Sequence, residues 1–157
     1  MDWESRRNAE RGIGGELAMA AYMEHKDLAN ESIGPERTRQ ITDGVHRVLD
    51  RIAEAERAAG REAGSVRLLA ATKTRDVGEI MAAIDAGVRM IGENRPQEVV
   101  AKVEGLRRLC RERGYALGAD GGDAAAGGAS AVAGHIPFHL IGQLQSNKIN
   151  KVLPVVD

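Results

Sequence analysis

Three short apolar runs, each followed by a stretch with helical spacing, constrain this 157-residue chain more than any other feature. Val66 to Ala71, Val88 to Ile91 and Phe138 to Gly142 are too short for buried helices and read as buried strands. Between the first two, Asp76 and Glu79 form a D-x-x-E start signal that resembles a capping box. Ile80, Ala83 and Ile84 then make an apolar helix face, and Gly87 stands where a C-cap belongs. After the second run, Asn94 can cap a helix with Pro96 in its first turn and Val99, Val100, Val103, Leu106 and Leu109 on its core face. After the third, Ser146 is placed to cap a short helix with Ile149, Val152 and Leu153, and Val155 to Asp157 reads as the start of another strand. A longer helix precedes all of this. It opens at Gly34-Pro35-Glu36, carries Ile41, Val45, Val48, Leu49 and Ile52, and stops at Gly60.

A helix followed by repeated strand–helix units predicts an α/β fold with a parallel sheet. Right-handed crossovers put the carboxyl ends of all strands on one side. Polar residues collect there: Lys73 after the first strand, Glu93 and Asn94 after the second, Gln143 and Gln145 after the third. Ligands of α/β folds bind at those ends. A complete eight-stranded barrel takes about 250 residues, and three strands with the stub of a fourth fall short of it. The apolar ending Val155-Val156-Asp157 favours a fragment over a small open sheet, so the expectation is a truncated gene product or piece of a longer chain.

Two segments differ from the rest. Residues 1–34 are charged and weakly periodic and read as a loosely ordered extension; Met19 and Met23 lie inside it, so the true start codon is open. Residues 118–134 hold six glycines and seven alanines and read as a low-complexity surface insert.

Composition excludes several classes. Lys plus Arg is 22 against 23 for Asp plus Glu, a net charge of −1, which gives no global field for nucleic acid or an anionic membrane. The four aromatics, Trp3, Tyr22, Tyr115 and Phe138, offer no base-stacking platform. No apolar stretch approaches the roughly 20 residues that span a bilayer. Cys110 is the single cysteine, which excludes an internal disulfide and a cysteine-based zinc site and fits a cytoplasmic setting.

Lys73 is the first candidate for chemistry. An amine at a partly desolvated pocket mouth can form a Schiff base with an aldehyde; the plain alternative is a solvated lysine past a strand end. Asn94 can hydrogen-bond a ligand in the same pocket, or merely cap the next helix. His135 and His139 imitate a two-histidine metal motif, but Pro137 excludes a helix there and four strand residues span roughly 13 Å. No metal is therefore expected, and His139 is assigned to packing or to the edge of a pocket. Cys110 reads as structural, and Arg107, Arg108, Arg111 and Arg113 as a basic helix end complementing its dipole.

The blocks Leu69-Ala70-Ala71-Thr72-Lys73-Thr74, Ile91-Gly92-Glu93-Asn94 with Gln97-Glu98, and His139 to Lys148 occur in an order that resembles the pyridoxal phosphate homeostasis proteins of the YggS/PROSC type. These are similar to the N-terminal barrel of alanine racemase. The resemblance runs over about residues 36 to 157, interrupted by the Gly/Ala insert. It implies that residues 35–157 are the N-terminal half of a (β/α)8 TIM-type barrel binding pyridoxal 5′-phosphate (PLP). It also implies that Lys73 matches the lysine forming the internal aldimine and that Asn94 lies near the cofactor ring. His139 and Gly142 match positions close to the pocket. The family's phosphate-binding blocks belong to the second half of the barrel and are not among these residues. The implied role is a carrier or regulator of vitamin B6 pools, not an enzyme, with PLP-dependent enzymes as candidate partners. The alternative is an amino-acid racemase of the alanine-racemase type. Tyr22 and Tyr115 do not match the second catalytic base such racemases take from an additional domain. An unrelated small α/β binding module is the third reading.

Overall fold

The computed structural model describes residues 26–120 and 134–157. Residues 1–25 of the expected extension, and 121–133 of the expected insert, lie outside the described residues. Residues 26–33 cross the start of a helix, where the carbonyls of Leu28 and Asn30 accept from the Val77 and Gly78 amides at 3.2 and 2.9 Å.

Helix α1 spans Pro35–Ala58, with its proline in the first turn and Gly60 just past its end at φ +64°. Its Glu56 is buried and accepts hydrogen bonds from the Gly64 and Val66 amides at 3.0 and 2.7 Å. Those amides hold its carboxyl below the usual range. The Val66 amide is thus spent on Glu56, and β1 covers only Ala70–Ala71, shorter than the apolar run from Val66 suggests. Helix α2, Val77–Asp85, starts with the capping box expected of Asp76 and Glu79: Glu79 N–H donates to Asp76 Oδ1 at 2.9 Å and Asp76 N–H to Glu79 Oε2 at 3.2 Å. Gly87 follows at φ +122°.

Strand β2 is Ile91–Glu93, three residues later than its apolar run begins. Val88 is instead buried in the turn, its amide donating to Ala83 O. Helix α3 spans Pro96–Glu112, and its N-cap is Arg95, without a side-chain cap. Asn94 is thus not the cap. A strand not foreseen from the sequence, β3 at Tyr115–Leu117, pairs in parallel with β4 at Gly134–Ile136. Strand β5, Phe138–Leu140, continues from β4 across Pro137, which has no amide to give to a ladder. A 3₁₀ turn at Ser146–Lys148 leads into α4, Ile149–Val152; Ser146 lies inside the turn and makes no side-chain cap. Val155–Asp157 forms no strand, although the Asp157 amide donates to Phe138 O at 3.0 Å.

β1, β2 and β5 make one parallel sheet in that order, and β3 and β4 a second. The α/β class with parallel strands holds. The sheets are not closed among the described residues. One core joins the layers: Val77, Ile84, Ile91, Val99, Leu106, Ile136, Phe138 and Val152 are all fully buried. Cys110 lies within it, its Sγ 3.9 Å from Met81 Sδ, and burial pushes its thiol up to about 11. No helix among the described residues is long and apolar enough to cross a membrane.

Candidate functional site at the carboxyl ends of the strands

Strand register fixes what shares a face. Ala70, Ile91 and Phe138 lie in one row, and Ala71, Gly92 and His139 in the next. Successive rows point to opposite faces. Ile91 and Phe138 are sealed under the helices, whereas Ala71 is exposed and His139 half-buried. A Cβ on Gly92 would meet Ile141 Cγ2 at 2.9 Å and Leu69 Cδ2 at 3.0 Å, so these two side chains lie on the same open face as His139. Gly92 leaves that face room for nothing larger between them.

Lys73 occupies the turn after β1, closed by the Arg75 amide donating to Thr72 O at 3.1 Å. Its side chain is exposed and has no partner among the described residues. Asn94 follows β2 directly. Its Oδ1 is buried and lacks a hydrogen-bond partner among the described residues. Gly142 follows β5, where a Cβ would come within 2.2 Å of the Asn94 backbone oxygen. Lys73, Asn94 and Gly142 thus follow three adjacent strands at their carboxyl ends and His139 lies within β5, with the backbone of Asn94 close against Gly142. His135 turns elsewhere, its Nε2 lying 2.9 Å from Gly118 O and 3.2 Å from Asp157 Oδ1. Among the described residues no group of three His, Cys, Asp or Glu could hold a metal ion.

Beneath Lys73 lies a cluster that sequence reasoning missed. Lys102 is completely buried on α3. Its Nζ donates to Glu93 Oε1 at 2.6 Å, Glu98 Oε2 at 2.9 Å and Thr72 O at 3.0 Å. Thr72 Oγ1 donates to Glu93 Oε1 at 2.7 Å, and the Thr74 amide to Glu98 Oε2 at 2.9 Å. Burial drives the Glu93 carboxyl above its ordinary value against the pull of Lys102. Burial also opposes ionisation of Glu98, but Lys102 and the Thr74 amide outweigh it and hold that carboxyl low. The available signal was the spacing of Val99, Lys102 and Leu106, which puts a lysine in an apolar stripe.

No protein-family model matches the chain. Curated relatives do. A protein of Mycobacterium tuberculosis named pyridoxal phosphate homeostasis protein is 32% identical over 120 residues, 76% of this chain and 41% of that protein. The like-named proteins of Escherichia coli K12 and Vibrio cholerae are 34% identical over 108 residues and 33% over 114, covering 69% and 73% of this chain. The chain belongs to the pyridoxal phosphate homeostasis family. It spans about two fifths of the length of these relatives, 37 to 41%. A crystal structure described as an unknown protein from Bifidobacterium adolescentis superposes with a TM-score of 0.75 at 75% identity, over 84% of this chain and 48% of that one. The relatives' shared name does not favour the racemase reading.

Proposed function

We propose that this chain serves PLP homeostasis by holding PLP through the amine of Lys73, as a carrier or regulator and not as a racemase. The observation that carries the reading is the convergence at one sheet end of an exposed amine and a buried acceptor, Asn94 Oδ1, neither with a partner among the described residues. These residues fit the cofactor. PLP would bring an aldehyde for an amine, a ring nitrogen that can donate to a buried acceptor when protonated, and a flat ring. Asn94 Oδ1 would accept from a polar hydrogen of such a ligand, and its removal from water would make that bond selective. Gly142, pressed on the Asn94 backbone, keeps the floor of the site flat where any side chain would intrude. His139 borders the open face and would limit a ring on the β5 side. PLP-dependent enzymes of the cytoplasm are the partners this role requires.

The test is titration of the chain with PLP, followed by borohydride reduction and peptide mapping. The expected result is a yellow absorbance and covalent label on Lys73, both lost in Lys73→Ala. Retention of the absorbance and of the label in that variant overturns the assignment.

A further inference from the structure

Lys102 is a fully buried lysine joined to two carboxylates of which neither is exposed. Such clusters add little stability compared with apolar residues of the same volume, since desolvation offsets their attraction. The destination of the hydrogen bonds is therefore informative. Among the described residues, every side-chain hydrogen bond that leaves this cluster for a neighbouring segment ends on Thr72 or Thr74, the residues on either side of Lys73. Lys102 takes the Thr72 carbonyl, Glu93 the Thr72 hydroxyl and Glu98 the Thr74 amide. Thr74 stands at φ +66°, a conformation a threonine adopts only when its surroundings impose it.

We propose that Lys102, Glu93 and Glu98 are positioning residues for Lys73: the buried cluster clamps the backbone on both sides of it and so sets where its amine meets an aldehyde ligand. This rests on the reading of Lys73 as the PLP-holding amine. The lysine itself takes no part in the clamp, which leaves its amine free to react while its Cα is fixed. Lys102 and Lys73 divide two tasks between them. The buried ammonium stays engaged with carboxylates, and the exposed one stays available.

The experiment compares the chain with Lys102→Met, Glu98→Leu and Glu98→Gln, using PLP with borohydride and mapping the label over all lysines. Glu98→Gln keeps an acceptor for the Thr74 amide, so it is the conservative rescue. Lys102→Met and Glu98→Leu are expected to lower the rate of labelling at Lys73 at least about tenfold, the scale of loss when a reacting group is misplaced. Labelling at Lys148 and Lys151 stays as in the parent chain, and Glu98→Gln stays within about threefold of it. Circular dichroism confirms that each variant is folded. Amide exchange at Thr74 is followed alongside and is expected to accelerate in the two disruptive variants while α2 stays protected. Folded disruptive variants that label Lys73 at the parental rate overturn the proposal. Should the parent chain itself show no preference for Lys73, the functional reading fails, and unchanged Thr74 protection in Lys102→Met then overturns the clamp as well.

Discussion

The backbone oxygen of Asn94 lies where a side chain on Gly142 would have to go, 2.2 Å from the position of its Cβ. The contact joins the ends of β2 and β5, one step beyond the bond from the Ile141 amide to Glu93 O at 2.7 Å. Both partners at the close approach are backbone, so neither can swing aside as a flexible side chain would.

Gly142→Ala is therefore expected to destabilise the chain by about 1–3 kcal/mol, the range for overpacking a fitted site. Gly44→Ala is the matched control. Gly44 lies inside α1 with only Arg47 Nη2 near, at 4.0 Å. There alanine is expected to add roughly 0.5–1 kcal/mol through helix propensity. Urea denaturation of both variants checks the pair; equal and small effects would remove the strain argument.

Asn94→Ala separates ligand contact from capping. Arg95 is the N-cap of α3, and Asn94 makes no cap bond. Loss of Asn94 therefore brings no capping penalty, and it relieves a buried acceptor that has no partner among the described residues. Thermal stability is expected to change by less than about 0.5 kcal/mol, while PLP binding weakens by roughly 1 kcal/mol, about fivefold, for one lost hydrogen bond. A clear drop in stability with unchanged PLP affinity would reverse the assignment.

What the sequence revealed divides by the range of the interaction. The capping box at Asp76 and Glu79, the proline start of α1 and the turn at Gly87 depend on residues within one turn and are found where their chemistry puts them. The pairing of Glu93 with Lys102 was hidden because each offends a local rule, a carboxylate inside a strand and an ammonium inside an apolar helix stripe, that only their mutual contact satisfies. Strand β3 was hidden because three residues between Gly114 and Gly118 gain strand character only by pairing with Gly134–Ile136, beyond the Gly/Ala insert. Asn94 and Ser146 show the converse. Both are good capping types beside a helix start, and neither makes a cap, because residue type alone does not place the preceding backbone. Of the candidate site, Lys73 and Asn94 were nameable from their places after strands, and His139 and Gly142 only through the family resemblance, whereas the support under Lys73 was not nameable.

The stability of the region around the start of α2 is expected to depend on acid through Glu79. Burial opposes its ionisation, yet Lys26 at 2.5 Å and Arg37 at 2.7 Å, with the Asp76 amide, bring its carboxyl down from 4.5 to about 2. A carboxyl lower in the folded than in the unfolded chain stabilises the fold above the unfolded value. That contribution is then lost as pH falls from about 4.5 towards 2. Glu79→Gln is the informative variant, since glutamine at the third helix position can still return a bond to the Asp76 amide while losing the charge. At pH 7 it is expected to be less stable than the parent by about 1 kcal/mol, the scale of ion pairs with partly exposed partners such as Arg37 and Arg75. The gap should hold down to about pH 5, narrow below the unfolded carboxyl value and be largely lost by about pH 2, as Glu79 of the folded parent takes up its proton too. Paired urea titrations of the two chains across that range isolate Glu79, because every other titrating group is common to both. A gap that is constant from pH 7 to pH 2 would show that the loss comes from altered capping geometry and that the ion pairs contribute nothing.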